Sequence, residues 1–73
     1  MTDHVYKVIE LVGTSNESIT KAIGSAIDKA GKSVRQLGWF EVTQIRGSVQ
    51  DGKVDRYQVT LKAGFTLDET DAD

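Results

Sequence analysis

Apolar positions dominate residues 5 to 12, whose sequence is VYKVIELV. The β-branched and aromatic residues of this segment, followed by Gly13, predict the first strand. Apolar side chains occupy both of its faces: Val5, Ile9 and Leu11 lie on one face, which Lys7 interrupts, and Tyr6, Val8 and Val12 lie on the other. We therefore expect both faces to be covered, one of them by another subunit.

A spacing of three and four residues between apolar positions follows the segment GTSNES and predicts an amphipathic helix. Thr14 or Ser15 is the expected N-terminal cap, because Thr14 and Glu17 have the spacing of a capping box. Gly38 is the expected C-terminal cap. The apolar stripe predicted to face a sheet consists of Ile19, Ala22, Ile23, Ala26, Ile27, Ala30 and Val34.

Residues 39–50 and 53–67 are predicted to be two long strands joined by Asp51-Gly52, a dipeptide typical of tight hairpins. A two-residue turn places Gln50 opposite Lys53 and fixes every other pair. The pairs on the face that meets the helix are then Phe40 with Ala63 and Val42 with Leu61. The pairs on the opposite face are Trp39 with Gly64, Glu41 with Lys62, Thr43 with Thr60, and Ile45 with Gln58. A β-bulge near residues 44–47 would shift the pairs at the Trp39 end.

The order strand, helix, strand, strand predicts an α+β fold of β-α-β-β type. Placing strand three between the other two gives a three-stranded antiparallel sheet of order 1-3-2, packed on one helix. We expect residues 1–67 to form a single domain. The acidic tail, residues 68–73, has few apolar residues and is expected to be disordered.

The size of the chain limits its stability. A core built from 73 residues supplies only about 3–5 kcal/mol. The chain has no Cys and one His, which excludes disulfides and argues against a structural zinc site. Oligomerisation is the remaining common source of stability, so we expect a homo-oligomer.

The charge pattern narrows the partners. The formal net charge is −2, with no dense basic block, so we do not expect a nucleic-acid partner. Neither a signal peptide nor a run of roughly 20 apolar residues is present, so we do not expect a membrane partner. The sequence is typical of a cytoplasmic protein, and the absence of Cys agrees with this.

Trp39, the single tryptophan, is predicted to lie opposite Gly64 and to form a flat platform with space above it. One interpretation is an oligomer contact, because Trp is enriched at interfaces. The other is that the indole stacks on a planar ligand whose polar edge is bound by an amide. Gln58 is the candidate amide, although a solvated or interface role also fits it. The two residues are about 20 Å apart along the hairpin, so one ligand could contact both only between subunits.

The segments VYKVIELVGTS, WFEV, IRG, the DG turn and YQVTLKAGF occur in an order and spacing that resemble the dodecins. Dodecins are small flavin-binding proteins that assemble into hollow dodecameric shells. The resemblance implies that flavins stack at a symmetry axis between Trp39 residues of different subunits, with Gln58 contacting the isoalloxazine rings. It also implies that FMN or riboflavin is stored in the shell and protected from light.

Further ligand contacts follow from the same resemblance. Arg46 matches a residue that helps to hold the flavin phosphate in bacterial dodecins, although a simple surface role also fits it. Gln44 is a candidate for contact with the ribityl chain, or alternatively a plain edge amide. Thr66 stands where some bacterial dodecins have a second arginine, which weakens the expected preference for FMN over riboflavin.

Catalytic motifs are absent from the sequence. His4 has no Ser or Cys partner at motif spacing, and no glycine-rich phosphate loop occurs. We therefore expect a protein that is not an enzyme. The first interpretation is a protein that stores flavin, and the second is a shell that binds another ligand, such as coenzyme A, with Trp39 mainly structural. A flavoenzyme is only the third interpretation.

Overall fold

The computed structural model describes residues 5–67. Its elements are β1 (Tyr6–Ser15), α1 (Ile19–Gly31), β2 (Leu37–Gln50) and β3 (Lys53–Thr66). The strands form one antiparallel sheet of order β1-β3-β2, which confirms the predicted α+β fold and strand order. His4 and the tail at 68–73 lie outside the described residues.

The core lies between α1 and the strands β1 and β3. Ala22 and Ala26 of the helix are buried against Val59 and Leu61 of β3. Small side chains on the helix let it approach the sheet closely. On the sheet, the absence of a side chain at Gly13 of β1 permits the same close approach. A Cβ at Gly13 would collide with the carbonyl oxygen of Ala22. Partly buried residues complete the core: Leu11, Ile19, Ile23, Ile27 and Val42.

The helix packs mainly on β1 and β3, so the helix-side face of β2 is only partly covered. Phe40 and Ile45 lie on this face, yet they are 49% and 54% exposed. The predicted position of Phe40 opposite Ala63 is confirmed, whereas the helix does not bury its side chain. These residues leave an apolar surface in the isolated chain.

The N-terminal cap of α1 is Ser18, whose side-chain oxygen accepts a hydrogen bond from the Lys21 amide at 3.0 Å. The predicted cap at Thr14 or Ser15 is therefore wrong. Strand β1 continues as far as Ser15, because the backbone there still pairs with β3. Ser15 instead closes the connecting turn: its Oγ accepts from the amides of Glu17 and Ser18 at 2.9 and 3.4 Å.

The C-terminal end of α1 also differs from the prediction. Lys32 is the C-terminal cap, and Val34 and Gly38 both lie beyond the helix. The amide of Val34 still bonds to the Ala30 carbonyl at 2.8 Å, which extends the turn by a few residues. Gln36 then adopts a φ of 64° and redirects the chain into β2, which already includes Gly38.

The hairpin register is confirmed at both ends and wrong in the middle. The observed pairs include Gln50 with Lys53, Val42 with Leu61, Phe40 with Ala63, Glu41 with Lys62, and Trp39 with Gly64. Between them, Gln44 pairs with Thr60, Ile45 with Val59 and Arg46 with Gln58. The predicted pairs of Thr43 with Thr60 and of Ile45 with Gln58 are therefore wrong.

Two opposing β-bulges cause this local shift. Thr43 is an extra residue on β2, and Asp55 is an extra residue on β3, so their effects on the register cancel. Each bulge has its own side-chain hydrogen bond. The Thr43 hydroxyl donates to the Thr60 carbonyl at 3.2 Å, and the Ser48 hydroxyl donates to the Asp55 carboxylate at 3.3 Å.

Candidate functional site

The outer face of the sheet, which points away from α1, carries every candidate site residue. On β3 this face consists of Gln58, Thr60, Lys62, Gly64 and Thr66, and it alternates with the residues that face the helix. The pairing of Gln44 with Thr60 and of Arg46 with Gln58 places both on this face. Strict alternation from Trp39 would have placed them on the helix-side face, so the Thr43 bulge unites them with Trp39.

Trp39 occupies one end of the outer face, with its indole lying over Gly64. A Cβ at Gly64 would overlap the six-membered ring of the indole and lie 2.7 Å from its Nε1. The Tyr6 ring meets the indole edge-on, with a centroid distance of 6.2 Å and an interplanar angle of 66°. The predicted platform thus has a defined support, because the indole packs onto a buried glycine while 42% of Trp39 stays exposed.

Gln58 and Arg46 face each other at the other end of the outer face. Gln58 is half-buried and Arg46 is exposed. Both line a groove of about 200 Å³ together with Gly47, Ser48 and Arg56. A Cβ at Gly47 would collide with the Arg56 carbonyl oxygen, so a glycine there permits the two strands to approach.

Arg56 is a residue that sequence reasoning missed. It lies opposite Ser48 and two positions before Gln58, which places it on the outer face. The signal was available in the alternation of β3, because any residue two positions from Gln58 shares its face. It was overlooked because Arg56 falls outside the segments that carry the dodecin resemblance.

The two ends of the site are not brought together within one chain. Trp39 pairs with Gly64, which is six residues from Gln58 along β3, or about 20 Å at the rise of a strand. Gln44, opposite Thr60, lies on the Gln58 side of this gap. The structure therefore groups Arg46, Gln44 and Gln58, and it leaves Trp39 apart from them.

A row of charged residues crosses the sheet between the two ends. Glu10 on β1 and Glu41 on β2 both pair with Lys62 on β3, so opposite charges alternate across the three strands. Val8 and Val12 of β1 also lie on the outer face, and about half of each side chain is exposed. The outer face thus has an aromatic end, a charged middle and a polar end. It also carries exposed apolar residues on β1.

A metal-binding cluster and a membrane-spanning helix are both absent from the part of the chain that the structure describes. Residues 5–67 contain no group of three or more His, Cys, Asp or Glu side chains placed to hold a metal ion. In the same residues, no helix has the length and apolar character required to cross a membrane.

Comparison with known proteins gives concordant results. The model of the dodecin family matches residues 5–68. The dodecin of Thermus thermophilus is 52% identical over 66 residues, covering 90% of this chain and 96% of that protein. The structure of dodecin from Streptomyces coelicolor is 47% identical, with a TM-score of 0.86, over 93% of this chain and 97% of that one.

A more distant relative is named for binding calcium. The calcium dodecin of Mycobacterium tuberculosis, a calcium-chelating antigen with a novel calcium-binding site, is 32% identical with a TM-score of 0.75. It covers 88% of this chain, and 91% of its own length is matched. Family model, sequence identity and structural similarity agree, and we conclude that the chain belongs to the dodecin family.

Proposed function

We propose that the protein binds a flavin, FMN or riboflavin, in a pocket formed between subunits of a homododecamer. In this role it stores and sequesters the flavin and protects it from light. The observation that carries the proposal is the exposed indole of Trp39, which lies over Gly64 on the same sheet face as Gln58. Membership of the dodecin family supports it.

Trp39 is suited to stacking on an isoalloxazine ring. Gly64 supports the indole from below and Tyr6 contacts it edge-on, so the ring is held in place before a ligand arrives. A preorganised aromatic surface loses little conformational entropy on binding. Its exposed fraction of 42% leaves area for a second planar ring.

Gln58 of a second subunit would bind the polar edge of a flavin that stacks on Trp39 of the first. The separation of about 20 Å from Trp39 prevents both residues of one chain from contacting the same ring system. The exposed apolar residues Val8 and Val12 on the same face support burial of this surface against another subunit. Arg46 would hold the flavin phosphate and Gln44 the ribityl chain.

Storage is favoured over catalysis by the chemistry of the outer face. Stacking a flavin between indoles allows rapid electron transfer that quenches its excited state, which is a means of photoprotection. An oxidoreductase additionally requires a donor site with an acid or base at the flavin. We accordingly propose a cytoplasmic flavin carrier that is not an enzyme.

Titration of apoprotein with FMN and, separately, riboflavin tests the proposal, with flavin fluorescence as the signal. We expect quenching that saturates near one flavin per chain and is lost in Trp39→Ala. Absence of quenching with both flavins would contradict the proposal. Trp39 would then be a structural interface residue, and coenzyme A would be the next ligand to test.

A further inference from the structure

Two arginines border the groove at the Gln58 end of the outer face, and the proposed function uses only one of them. Arg46 lies directly opposite Gln58, whereas Arg56 precedes Gln58 by two residues on the same strand. Diagonal neighbours across an antiparallel pair lie about 7–8 Å apart, within reach of long side chains. Both arginines line one groove of about 200 Å³.

The charge balance of this groove is positive. Within residues 5–67, neither guanidinium forms an ion pair with a carboxylate. Asp55 contributes one negative charge beside the groove, and its carboxylate accepts a hydrogen bond from the Ser48 hydroxyl at 3.3 Å. Two positive charges against one leave the groove able to attract an anion, which would also relieve the repulsion between the arginines.

We infer that Arg46 and Arg56 together form a binding site for a phosphate monoester, with Arg56 as a specificity-determining residue. Each planar guanidinium presents a fork of donors that matches phosphate oxygens, whereas the Gln58 amide is assigned to the flavin ring. The inference rests on the proposed function where the phosphate is that of FMN. The anion site itself is defined by the groove and does not require a flavin.

This assignment changes the expected ligand preference. Thr66, which lacks a charge, pairs with Tyr6 at the opposite end of β3 from the groove. Arg56 lies beside Arg46, so it provides a second cation where the phosphate is expected to bind. The protein should therefore favour FMN over riboflavin despite Thr66.

Separate dissociation constants for FMN and riboflavin test the inference in the wild type, Arg56→Gln and Arg56→Lys. We expect Arg56→Gln to weaken FMN binding about tenfold and to leave riboflavin binding within about twofold. Arg56→Lys keeps the charge without the fork and should recover part of the loss. Arg35→Gln is the matched control, because Arg35 is exposed and lines a different groove beside Phe65. An unchanged ratio of FMN to riboflavin affinity in Arg56→Gln would overturn the inference.

A second measurement separates this inference from the proposed function. Inorganic phosphate is titrated into flavin-free protein, and the amide resonances of Gly47 and Ser48 are followed by NMR. We expect saturable shifts in the wild type that Arg56→Gln abolishes. If neither flavin binds, the proposed function fails and this titration alone decides: saturable shifts support the anion site, and their absence overturns it.

Discussion

Gly64 determines where the indole of Trp39 lies. The ring occupies the space that any larger residue at position 64 would fill, and this places it flat against the sheet. The dependence is local, because Trp39 is 42% exposed and does not belong to the buried core. A single methyl group at position 64 is therefore a direct probe of the stacking surface.

Gly64→Ala is expected to displace the indole and to lower flavin affinity at least about tenfold, with the fold retained. Flavin quenching measures the affinity, and tryptophan emission reports the new environment of the indole. Gly24→Ala is the matched control, since an added Cβ at this exposed helix position meets nothing within 4 Å. It should leave flavin binding intact and stabilise the helix by about 1 kcal/mol. Wild-type affinity in Gly64→Ala would contradict the proposed role of the supported indole.

Trp39→Phe tests photoprotection separately from binding. Phenylalanine can still stack on a flavin, but it is a much poorer electron donor than indole. We expect bound flavin to bleach faster under illumination in Trp39→Phe than in the wild type at equal saturation. Equal bleaching rates would show that electron transfer from Trp39 does not protect the flavin.

The pair of β-bulges decides which side chains share the outer face. With Thr43 present, Trp39 at one end and Arg46 at the other both point away from the helix. Because strand residues alternate, removing one residue from β2 must turn one of these ends to the helix-side face. The bulge is thus a requirement of the proposed pocket rather than an irregularity of the hairpin.

Deletion of Thr43 is expected to abolish FMN binding, since Trp39 and Arg46 can no longer share a face. Thr43→Val is the control: it removes the hydrogen bond to the Thr60 carbonyl but keeps the residue count. We expect Thr43→Val to bind FMN within about threefold of the wild type, with stability reduced by about 1 kcal/mol. Binding by the deletion variant with wild-type affinity would show that a shared face is not required.

The start of α1 offers a second test at the scale of one element. Ser18→Ala removes the hydrogen bond to the Lys21 amide and should lower the free energy of unfolding by about 1 kcal/mol. Thr14→Ala, which changes one of the two caps predicted from the sequence, should alter the free energy of unfolding by no more than about 0.5 kcal/mol. Denaturant unfolding at one fixed protein concentration compares them, because association also contributes to stability. A larger loss in Thr14→Ala than in Ser18→Ala would contradict the observed cap.

Sequence patterns predicted the architecture of the molecule because long elements carry strong signals. The alternation in β3 and the Asp51-Gly52 turn were sufficient for the strand order and for the register at both ends. The predicted register of the central pairs was wrong because bulges at Thr43 and Asp55 shift the pairs between them by one residue. The two shifts cancel, so the pairs at both ends are unchanged. The predicted helix cap was wrong because several residues of TSNES are suitable caps. Only the pairing of β1 with β3 as far as Ser15 selects Ser18.

The candidate site was predictable in part. Trp39 opposite Gly64 followed from the turn, and the distance to Gln58 followed from strand geometry. The placement of Gln44 and Arg46 on the same face could not be derived, since it depends on the Thr43 bulge. The role of Arg56 could be inferred only from the structure, because it depends on the residues that line the groove with Arg56 and not on a sequence motif.

The central proposal for the whole molecule is that one flavin contacts Trp39 of one subunit and Gln58 of another. Complementation between Trp39→Ala and Gln58→Ala chains tests this most directly. The two variants are co-expressed so that their subunits mix. Flavin binding is then measured at a concentration where neither variant binds alone.

In mixed assemblies some pockets combine an intact Trp39 from one chain with an intact Gln58 from the other. For a pocket on a two-fold axis, random mixing restores about a quarter of the sites. We predict saturable flavin quenching near that fraction in the mixed assemblies. If the mixture binds no more flavin than the two variants kept apart, the pocket is not shared between subunits and the proposal is contradicted.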